Sequence, residues 1–536
     1  MANFFKDNED IQFLFEHLDL REIATAQEDG FVGHEGTGAG EAPTDADDAV
    51  DNYRRILAIV GDLAANIVAP SAEAVDHEGN RLNDDGTVTL NADMRNSLKA
   101  LAQADLMGFT LPRHFGGLNC PNLVYAMAIE IISRADASLM NIFGLQGIAE
   151  TINAFADPTI KDEYLPRFAR GELTGAMALT EPDAGSDLQS VSLRAWQDTD
   201  GRWHLNGVKR FITNGCGDVV LTLARSEPEL KDGRGLSLFL AERGPRLKVR
   251  RLENKLGLHG SPTCELVYDD VPAKLIGERQ LGLIRYVVSL MNGARIGVAA
   301  QALGIAEAAF RVARKYAHTR RQFGVAIERL PAVAEMIVEM RIAIEAARAL
   351  VYETSRFCDL EQNNHRVLEI DPPSDADELK RRKNDARTYK RLNGLLTPMC
   401  KYYASEMSVR VANDALQVLG GSGYMKDYPI ERHLRDARIT NIYEGTSQLQ
   451  IVAAVRGVCG GAFEKFVDEL ETREYLDKDL HALKTALAAG RVSVAAGIAF
   501  VKAQGVDYMD LYGRKLVDGA AAVLVGHLLL RQAAAN

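Results

Sequence analysis

The chain has 536 residues, more than one hydrophobic core usually organises, so two or more domains are expected. Hydrophobic residues make up 47% of the sequence and charged residues 25%, as in ordinary globular proteins. The formal net charge of -12 argues against a nucleic-acid partner, because binding a phosphate backbone needs a basic face.

The cysteines and the first residues bear on the cellular compartment. The six cysteines form no C-x-x-C pair and have no metal-like spacing, which favours structural thiols in a reducing compartment and predicts no metal site. Residues 1–20 lack a basic segment followed by an apolar core, and no uninterrupted apolar run reaches transmembrane length. We therefore expect a cytoplasmic protein without a membrane span.

The first third of the chain is predicted to be helical. Residues 1–48 form an N-terminal extension, with a short amphipathic helix over 10–21 and a linker to residue 48. Residues 49–174 form an α-helical domain, where Ile56, Ile59, Leu63 and Ile67 repeat at helical spacing on one face. Further helices are predicted over 98–106, 123–135 and 140–156.

The pattern changes near residue 175 and predicts an antiparallel β domain over 175–280. Asp200-Gly201 and Asn206-Gly207 are turn dipeptides, and the segments beside them alternate between apolar and polar residues. Strands are predicted over 191–196, 208–213, 219–224, 236–240 and 266–268.

Long helices return after residue 281. A helix over 283–317, one that follows Pro331, one that runs toward Leu419 and one that opens at Ser447 predict an up-and-down bundle over 281–460. The charged segment 361–385 is expected to be a solvated insertion. Residues 461–536 form a helical extension that packs on the bundle or on a neighbour. The fold class is α+β, mostly α, with a C-terminal four-helix bundle.

The candidate for chemistry is Glu444, which stands between Tyr443 and Gly445 where two helices meet. Apolar surroundings disfavour the charged form of a glutamate and raise its pKa, so that it can act as a base near neutral pH. Gly445 breaks the incoming helix, and Ser447 with Gln450 predicts a capping box that opens the next one. The alternative is a glutamate that only complements a helix dipole.

Three further segments carry weaker patterns. The loop 179–186 exposes backbone N–H groups and hydroxyls that suit a heteroaromatic ring or a phosphate, although alone it is more often a plain turn. The arginines of 320–323 and the glycines of 417–423 suit a phosphate, but such glycines also end helices. Arg432, Arg435 and Arg438 share a helical face, and we interpret them as a salt-bridge stripe without a chemical role.

Five motifs together resemble the acyl-CoA dehydrogenase family over residues 53–456. They are ALTEPDAGSD at 178–187, RFITNG at 210–215, RRQFG at 320–324, QVLGGSGY at 417–424 and IYEGT at 442–446. The two long terminal segments resemble the bacterial branch that includes methylthiopropionyl-CoA dehydrogenase. The resemblance implies an FAD enzyme that acts on acyl-CoA thioesters, passes electrons to an electron-transferring flavoprotein, and forms a homodimer or homotetramer.

The resemblance also assigns residues. Many members have tryptophan where this chain has Phe211, so the ring can stack on the flavin but the indole N–H is lost. A polar pair usual near Leu330-Pro331 is absent, which leaves a contact to the adenine end missing or replaced. FAD contacts are expected from Leu179, Thr180, Gly185, Ser186, Phe211, Ile212, Thr213, Arg320, Gln322, Phe323, Gln417, Gly420, Gly421, Thr446 and Gln448, and substrate contacts from Ser186, Asn292, Arg295, Tyr443 and Gly445.

By the same resemblance, Glu444 removes the pro-R α-proton while a β-hydride passes to flavin N5, giving a trans-2-enoyl-CoA in fatty acid β-oxidation. Some branches place the base at the position of Ala294, which cannot accept a proton, so Glu444 alone is left. Arg295 supports the base or forms a salt bridge within the bundle. Two alternatives stay open: an acyl-CoA oxidase that passes electrons to oxygen, and a non-catalytic binding or assembly protein on the same scaffold.

Overall fold

The computed structural model describes residues 2–31, 42–370 and 372–535 of the chain. The single N-terminal helix predicted over 10–21 is in fact two helices, Glu9–His17 and Leu20–Gln27, because Asp19 adopts a left-handed conformation between them. The second helix and a 3-10 turn at Asp29–Phe31 occupy part of the predicted linker. Residues 32–41 of that linker lie outside the described residues, and its last residues already belong to helix Ala46–Leu63.

The N-terminal domain is helical, as predicted, and also contains a small hairpin of Arg81–Leu82 with Val88–Thr89. Helix Pro158–Ala169, capped by Asp157, was not predicted. The helices are Ala46–Leu63, Ala69–Glu78, Ala92–Gln103, Asn122–Ala135, Ala137–Phe143, Gln146–Phe155 and Pro158–Ala169, with a π turn at Ala64–Val68 and 3-10 turns at Leu106–Gly108 and Arg113–Phe115.

The buried face of the first long helix differs from the predicted one. Ile59 and Ile67 are 45% and 40% exposed, whereas the neighbouring stripe through Tyr53, Leu57 and Val60 is fully buried. The buried stripe mixes aromatic, aliphatic and small residues, and the isoleucines border it. Following the isoleucines and Leu63 therefore placed the face about one position away.

The middle domain is a curled β sheet. Its pairings are antiparallel, as predicted, except that Gly175–Ala178 and one residue of Arg194–Gln197 pair parallel with Val219–Arg225. Asp200-Gly201 is a turn, but Asn206-Gly207 lies inside a long strand, where a register shift at Gly207 bends the strand. The strands are Gly175–Ala178, Arg194–Gln197, Trp203–Thr213, Val219–Arg225, Leu236–Glu242, Leu247–Leu252 and Thr263–Ile276, with 3-10 turns at Leu188–Ser190 and Gly233–Gly235.

The C-terminal domain is the predicted bundle, built from Val288–Thr319, Pro331–Ile370, Ala376–Leu419 and Ser447–Cys459. The predicted insertion 361–385 is wrong, because most of it belongs to the two longest helices. Glu378 pairs with Arg381 and Arg382 at helical spacing, so the charges stabilise an exposed helix end. Shorter elements are Gly282–Val287, Arg321–Gln322, Val325–Ala326, Ile327–Arg329, Gly421–Tyr424, Ile430–Ala437 and Arg438–Asn441.

The C-terminal extension consists of three helices, Ala462–Glu471, Lys478–Gln504 and Val506–Ala533. The last helix packs on the bundle of its own chain, which settles one of the two placements left open by the sequence. Arg531 pairs with Glu353 at 2.6 Å, and the Tyr402 hydroxyl donates to Asp518 at 2.7 Å.

Four helical segments in the described parts of the chain are long and apolar enough, by length and composition, to cross a membrane. Gly282–Thr319 buries 83% of its apolar window inside the protein, and Lys478–Gln504 only 17%. These windows tolerate a few charges, unlike the uninterrupted run sought in the sequence. The absence of a membrane span therefore stays a prediction. The four segments are Ala46–Glu78, Gly282–Thr319, Lys478–Gln504 and Val506–Ala533.

Candidate active site

A deep cleft lies where the β domain meets the helices, with a volume of about 1160 Å³. Ends of the β strands form one wall, the start of helix Val288–Thr319 a second, and the segment around Glu444 a third. Ligand sites for small molecules are commonly about 300–1000 Å³. The cleft is therefore large enough for a cofactor ring together with part of a second ligand.

Glu444 lies on a short connection between the turn Arg438–Asn441 and helix Ser447–Cys459, with φ at +54°. We call residues 442–446 the base loop. Gln450 holds it, because its Nε2 donates to the carbonyls of Glu444 and Gly445, both at 3.1 Å. Gly445 has φ at +92°, a backbone conformation that other residues rarely adopt, so this position favours glycine.

The predicted capping box is wrong by one residue. Thr446 is the N-cap, and its hydroxyl accepts from the N–H of Leu449 at 3.4 Å. Ser447 instead donates to Glu406 at 2.7 Å. The helix that precedes the base loop also ends before Gly445, at Asn441. Gln450 is consequently free to bond the base loop rather than the helix end.

Two cations control the charge of Glu444. Burial raises the pKa of its carboxyl, while Arg295 and Lys401 act in the opposite direction. Lys401 is fully buried and donates to the Gly445 carbonyl at 2.8 Å, and burial lowers its pKa to about 8. Burial also lowers the pKa of Arg295, whose Nη1 donates to Asn292 at 3.0 Å and whose Nε has no partner among the described residues.

Lys401 was not among the site residues predicted from the sequence. It stands in the middle of a long helix, where a lysine usually points to solvent. Its neighbours Met399, Cys400 and Tyr402 are buried, and a charge inside such an apolar run was the available indication. Tyr443 is held by a different bond, because its hydroxyl donates to Asn141 at 3.3 Å and to Gln301.

The expected flavin-ring contacts line the cleft together. Phe211 is 53% exposed and has φ at +61°, so a strained backbone holds an uncovered aromatic ring at the wall. Lys209 fixes the loop behind it by donating to the Leu179 carbonyl at 2.7 Å and to Glu181 at 2.9 Å. The cleft-lining members of the expected FAD set are Leu179, Thr180, Gly185, Ser186, Phe211, Ile212, Thr213 and Thr446.

These residues fit a flavin. The hydroxyls of Thr180 and Thr213 bond to no other described residue, which leaves both available to a heteroaromatic ring. The open face of Phe211 offers a stacking surface. The expected substrate contacts Ser186, Arg295, Tyr443 and Gly445 line the same cleft, whereas Asn292 is exposed beside it and contacts Arg295.

The remaining expected FAD contacts do not line the cleft. All but Gln448 lie where helices Val288–Thr319 and Ala376–Leu419 end side by side, joined by a bond from Tyr316 to Ser422 at 3.3 Å. Phe323 is 90% exposed there. We call this surface the exposed patch; its members are Arg320, Gln322, Phe323, Gln417, Gly420 and Gly421, and Gln448 is exposed elsewhere, at the start of the last bundle helix.

The arginine stripe is partly structural. Arg435 pairs with Asp76 at 2.6 Å and with Glu431, as the salt-bridge interpretation predicts. Arg435 and Arg438 also line the cleft, which the sequence did not indicate. Arg432 is buried, with its Nη1 unpaired among the described residues.

A small second cavity of about 90 Å³ adjoins the cleft, and we call it the tail pocket. The two cavities share Glu444 and several wall residues, so the carboxyl lies at their junction. Ala294 lines the tail pocket beside Glu444, in agreement with its expected position. The shared wall residues are Asn141, Leu145, Met177, Thr213 and Tyr443.

Comparison with known families matches three models to this chain. They are the acyl-CoA dehydrogenase N-terminal domain at residues 51–172, the middle domain at 176–271, and the C-terminal domain at 284–371 and 377–459. An acyl-CoA dehydrogenase of Bacillus subtilis is 37% identical over 411 residues, covering 75% of this chain and 97% of that protein.

Two further proteins are similar to the chain. The 3-methylmercaptopropionyl-CoA dehydrogenase of Ruegeria pomeroyi is 33% identical over 432 residues, covering 75% of this chain and 69% of that protein. The crystal structure of an acyl-CoA dehydrogenase complexed with FAD from Bacillus anthracis has a TM-score of 0.72 at 25% identity, covering 89% of this chain and 80% of that one. The three family models span residues 51–459. Because the structural similarity covers 89% of the chain, it extends beyond that span into the terminal segments.

Proposed function

Because the chain belongs to the acyl-CoA dehydrogenase family, we propose that Glu444 is the base that removes the α-proton of an acyl-CoA thioester. The protein is an FAD-dependent acyl-CoA dehydrogenase. The observation that carries the proposal is the position of Glu444, at the junction between a cleft that fits a flavin and a short apolar pocket. A thioester there has its acyl tail in the pocket and its α-carbon beside the carboxyl.

The surroundings of Glu444 suit a base. Burial raises the pKa of its carboxyl, which makes the carboxylate a stronger proton acceptor than an exposed glutamate. Arg295 and Lys401 act in the opposite direction on the same pKa and favour the ionised form. The backbone N–H of Glu444 bonds to no carbonyl of the described residues, so it is available to the thioester oxygen as negative charge develops.

The cleft residues Thr180, Phe211 and Thr213 would hold the flavin ring beside the base loop. FAD, when bound, supplies the hydride acceptor for the β-carbon. The product is then a trans-2-enoyl-CoA. We place this reaction in cytoplasmic fatty acid β-oxidation, with an electron-transferring flavoprotein as the electron acceptor.

The exposed patch supports an oligomer. Its guanidinium, amide and glycine backbone groups suit an adenosine-pyrophosphate, but they lie apart from the cleft of their own chain. We infer that they hold the FAD of a second copy, in a homodimer or homotetramer. Sedimentation of the FAD-loaded enzyme tests this inference, since an active monomer that retains FAD would contradict it.

The test of function is an anaerobic titration of the FAD-loaded protein with a panel of acyl-CoAs. Bleaching of the flavin by at least one saturated acyl-CoA, with the 2-enoyl-CoA as product, is the expected result. A protein that retains FAD but is bleached by no acyl-CoA would refute the proposal. Hydrogen peroxide formed in air at the rate of turnover, without an added acceptor, would identify an oxidase instead.

A further inference from the structure

The tail pocket contains a second carboxyl that the proposed reaction does not use. Glu150 lies on helix Gln146–Phe155 and lines only the tail pocket, not the cleft. Most of the wall around it is apolar, formed by residues such as Ile129, Met140 and Leu290. Among the described lining residues, Glu150 and Glu444 are the two carboxylates.

Glu150 is poorly paired for a half-buried carboxyl that lines an enclosed pocket. It forms no ion pair within the described residues, and the one hydroxyl that acts on its pKa, that of Thr110, lies outside normal hydrogen-bond geometry. A carboxyl offers about four acceptor positions, so one hydroxyl leaves most of them unused. Burial raises the pKa of Glu150, as expected for a group without a cation nearby.

Most other polar side chains of the tail pocket are already bonded, and the unbonded hydroxyl of Thr213 lies on the wall that the pocket shares with the cleft. The Tyr125 hydroxyl donates to the Phe143 carbonyl at 3.1 Å, and Asn122 donates to Asp359 at 2.9 Å. The Tyr443 hydroxyl bonds to Asn141. Glu444 and Thr213 stand at the junction with the cleft, so Glu150 is the group with unused hydrogen-bonding capacity that an acyl tail meets deeper in the pocket.

We propose that Glu150 determines specificity by binding the far end of the acyl chain, and that the substrate is a short acyl-CoA with a terminal hydroxyl. This inference rests on the proposed function. The pocket volume of about 90 Å³ restricts the tail to a few atoms beyond the reacting carbons, since one water already needs roughly 10–15 Å³.

The terminal group follows from the chemistry of the pocket. A methyl end would leave Glu150 desolvated without a new partner, which is unfavourable. A carboxylate end would be repelled, and an ammonium end would bring a charge into apolar walls. A hydroxyl is neutral, and it both donates and accepts, so it bonds to a carboxyl in either protonation state.

The experiment compares substrates of equal size on the FAD-loaded enzyme. We measure kcat/KM for 4-hydroxybutyryl-CoA against pentanoyl-CoA, and for 5-hydroxypentanoyl-CoA against hexanoyl-CoA. The members of each pair differ by a hydroxyl in place of a methyl group. We expect at least one hydroxylated member to be preferred by about 100-fold or more, because a site that bonds a hydroxyl strongly rejects an analogue without it.

Variants assign the preference to Glu150. Glu150→Met should abolish or reverse it, and Glu150→Gln, which keeps hydrogen-bonding groups and volume, should retain part of it. The matched control is Glu163→Met, because Glu163 lies on the next helix, is 47% exposed and lines neither cavity. FAD content and melting temperature are measured for all three, and Glu150→Gln carries the test if the Met variant does not fold.

Three outcomes overturn the inference while leaving the proposed function intact. The wild-type enzyme could oxidise pentanoyl-CoA and hexanoyl-CoA as well as their hydroxylated partners, as it would if water satisfied Glu150. The preference could survive unchanged in both Glu150 variants. Finally, 3-methylmercaptopropionyl-CoA, with a thioether and no hydroxyl, could exceed both hydroxylated substrates. A protein bleached by none of these thioesters would instead count against the proposed function itself.

Discussion

Two clusters of charged residues, one around Arg348 and one around Glu444, lie inside this molecule and are built differently. Arg348 is fully buried and bonds to Glu130 at 2.6 Å, Glu307 at 2.9 Å and Asp10 at 3.0 Å. Burial opposes the charges, yet Arg348 and Arg311 lower the pKa of Glu307 to about 2. This cluster ties the N-terminal segment and the helical domain to the bundle.

The cluster around Glu444 lacks such pairing. Arg295 and Lys401 act on Glu444 through their charge, but neither forms an ion pair with it within the described residues. The pKa of Glu444 is accordingly raised by burial, where that of Glu307 is lowered. Similar residue types thus give a stabilising cluster where every group is bonded, and a reactive one where bonds are left for a ligand.

The largest effect should come from the reactive cluster. Glu444→Gln keeps the size of the side chain but removes the base, so flavin reduction by an accepted acyl-CoA should slow by roughly two to four orders of magnitude. FAD and acyl-CoA should still bind. Anaerobic stopped-flow measures both, and near-wild-type reduction would mean that another residue takes the proton.

A second variant sharpens this result. Ala294 and Glu444 line the same tail pocket. Ala294→Glu in the Glu444→Gln background should therefore recover part of the rate, if both positions face the same α-carbon. Ala294→Asp is the control, because its shorter side chain should recover less.

A substitution in the cluster around Arg348 should lower the free energy of unfolding rather than the rate of flavin reduction. Arg348→Met leaves Glu130 buried without its cation and Glu307 with Arg311 alone, and removing one partner of a buried ion pair costs about 3–5 kcal/mol. Urea unfolding measures this loss. Flavin reduction per folded, FAD-loaded enzyme should be close to normal.

The control for Arg348 is on the same helix. Arg341 is 43% exposed and pairs with Asp10 and Glu345, so Arg341→Met should cost at most about 1 kcal/mol. An equal loss in the two variants would mean that burial does not set the strength of these ion pairs.

Lys401 should set the pH dependence. Flavin reduction requires the ionised form of Glu444, so the rate should rise with pH through the pKa of that group. Lys401→Met removes a charge that lowers this pKa, and the acid limb should move upward by about one pH unit, which is tenfold in rate on that limb.

The rate of flavin reduction at high pH distinguishes an effect of the Lys401 charge from an effect on the shape of the base loop. If Lys401 acts through its charge, Lys401→Met should approach the wild-type rate at high pH, whereas a distorted base loop would be slow at every pH. Lys465→Met, on an exposed helix, is the control. An unmoved acid limb in the Lys401 variant would refute the electrostatic role.

The sequence predicted the fold best where one periodic pattern ran for many residues. The bundle helices and the long strands follow from periods of 3.6 and 2. The prediction failed at 361–385, where charge density suggested a solvated insertion but i,i+4 pairs extend two helices. It also failed at Asn206-Gly207, because an Asn-Gly dipeptide occurs both in turns and in β-bulges. Only the pairing of the strands shows that this one lies within a strand.

The candidate site was predictable through motifs but not through contacts. Glu444 and the expected flavin contacts of the cleft lie in recognisable sequence motifs, and the structure brings them to one cleft. Lys401 and Glu150 stand on helices far from those motifs, and tertiary packing alone brings Lys401 to the base loop and Glu150 to the tail pocket. A single sequence contains no local indication of which helical lysine or glutamate faces inward.

The smallest expected effect concerns Gln450, which bonds both carbonyls of the base loop. Gln450→Met removes the two bonds at similar volume, and each is worth about 0.5–1.5 kcal/mol. Because Lys401 still holds Gly445, we expect flavin reduction to fall by no more than about tenfold, equally at all pH values. Ser447→Ala is the control, since it loses a bond to Glu406 but touches neither carbonyl. A shift of the acid limb in Gln450→Met would show that the loop bonds tune the pKa of Glu444, a role that the charges of Arg295 and Lys401 otherwise account for.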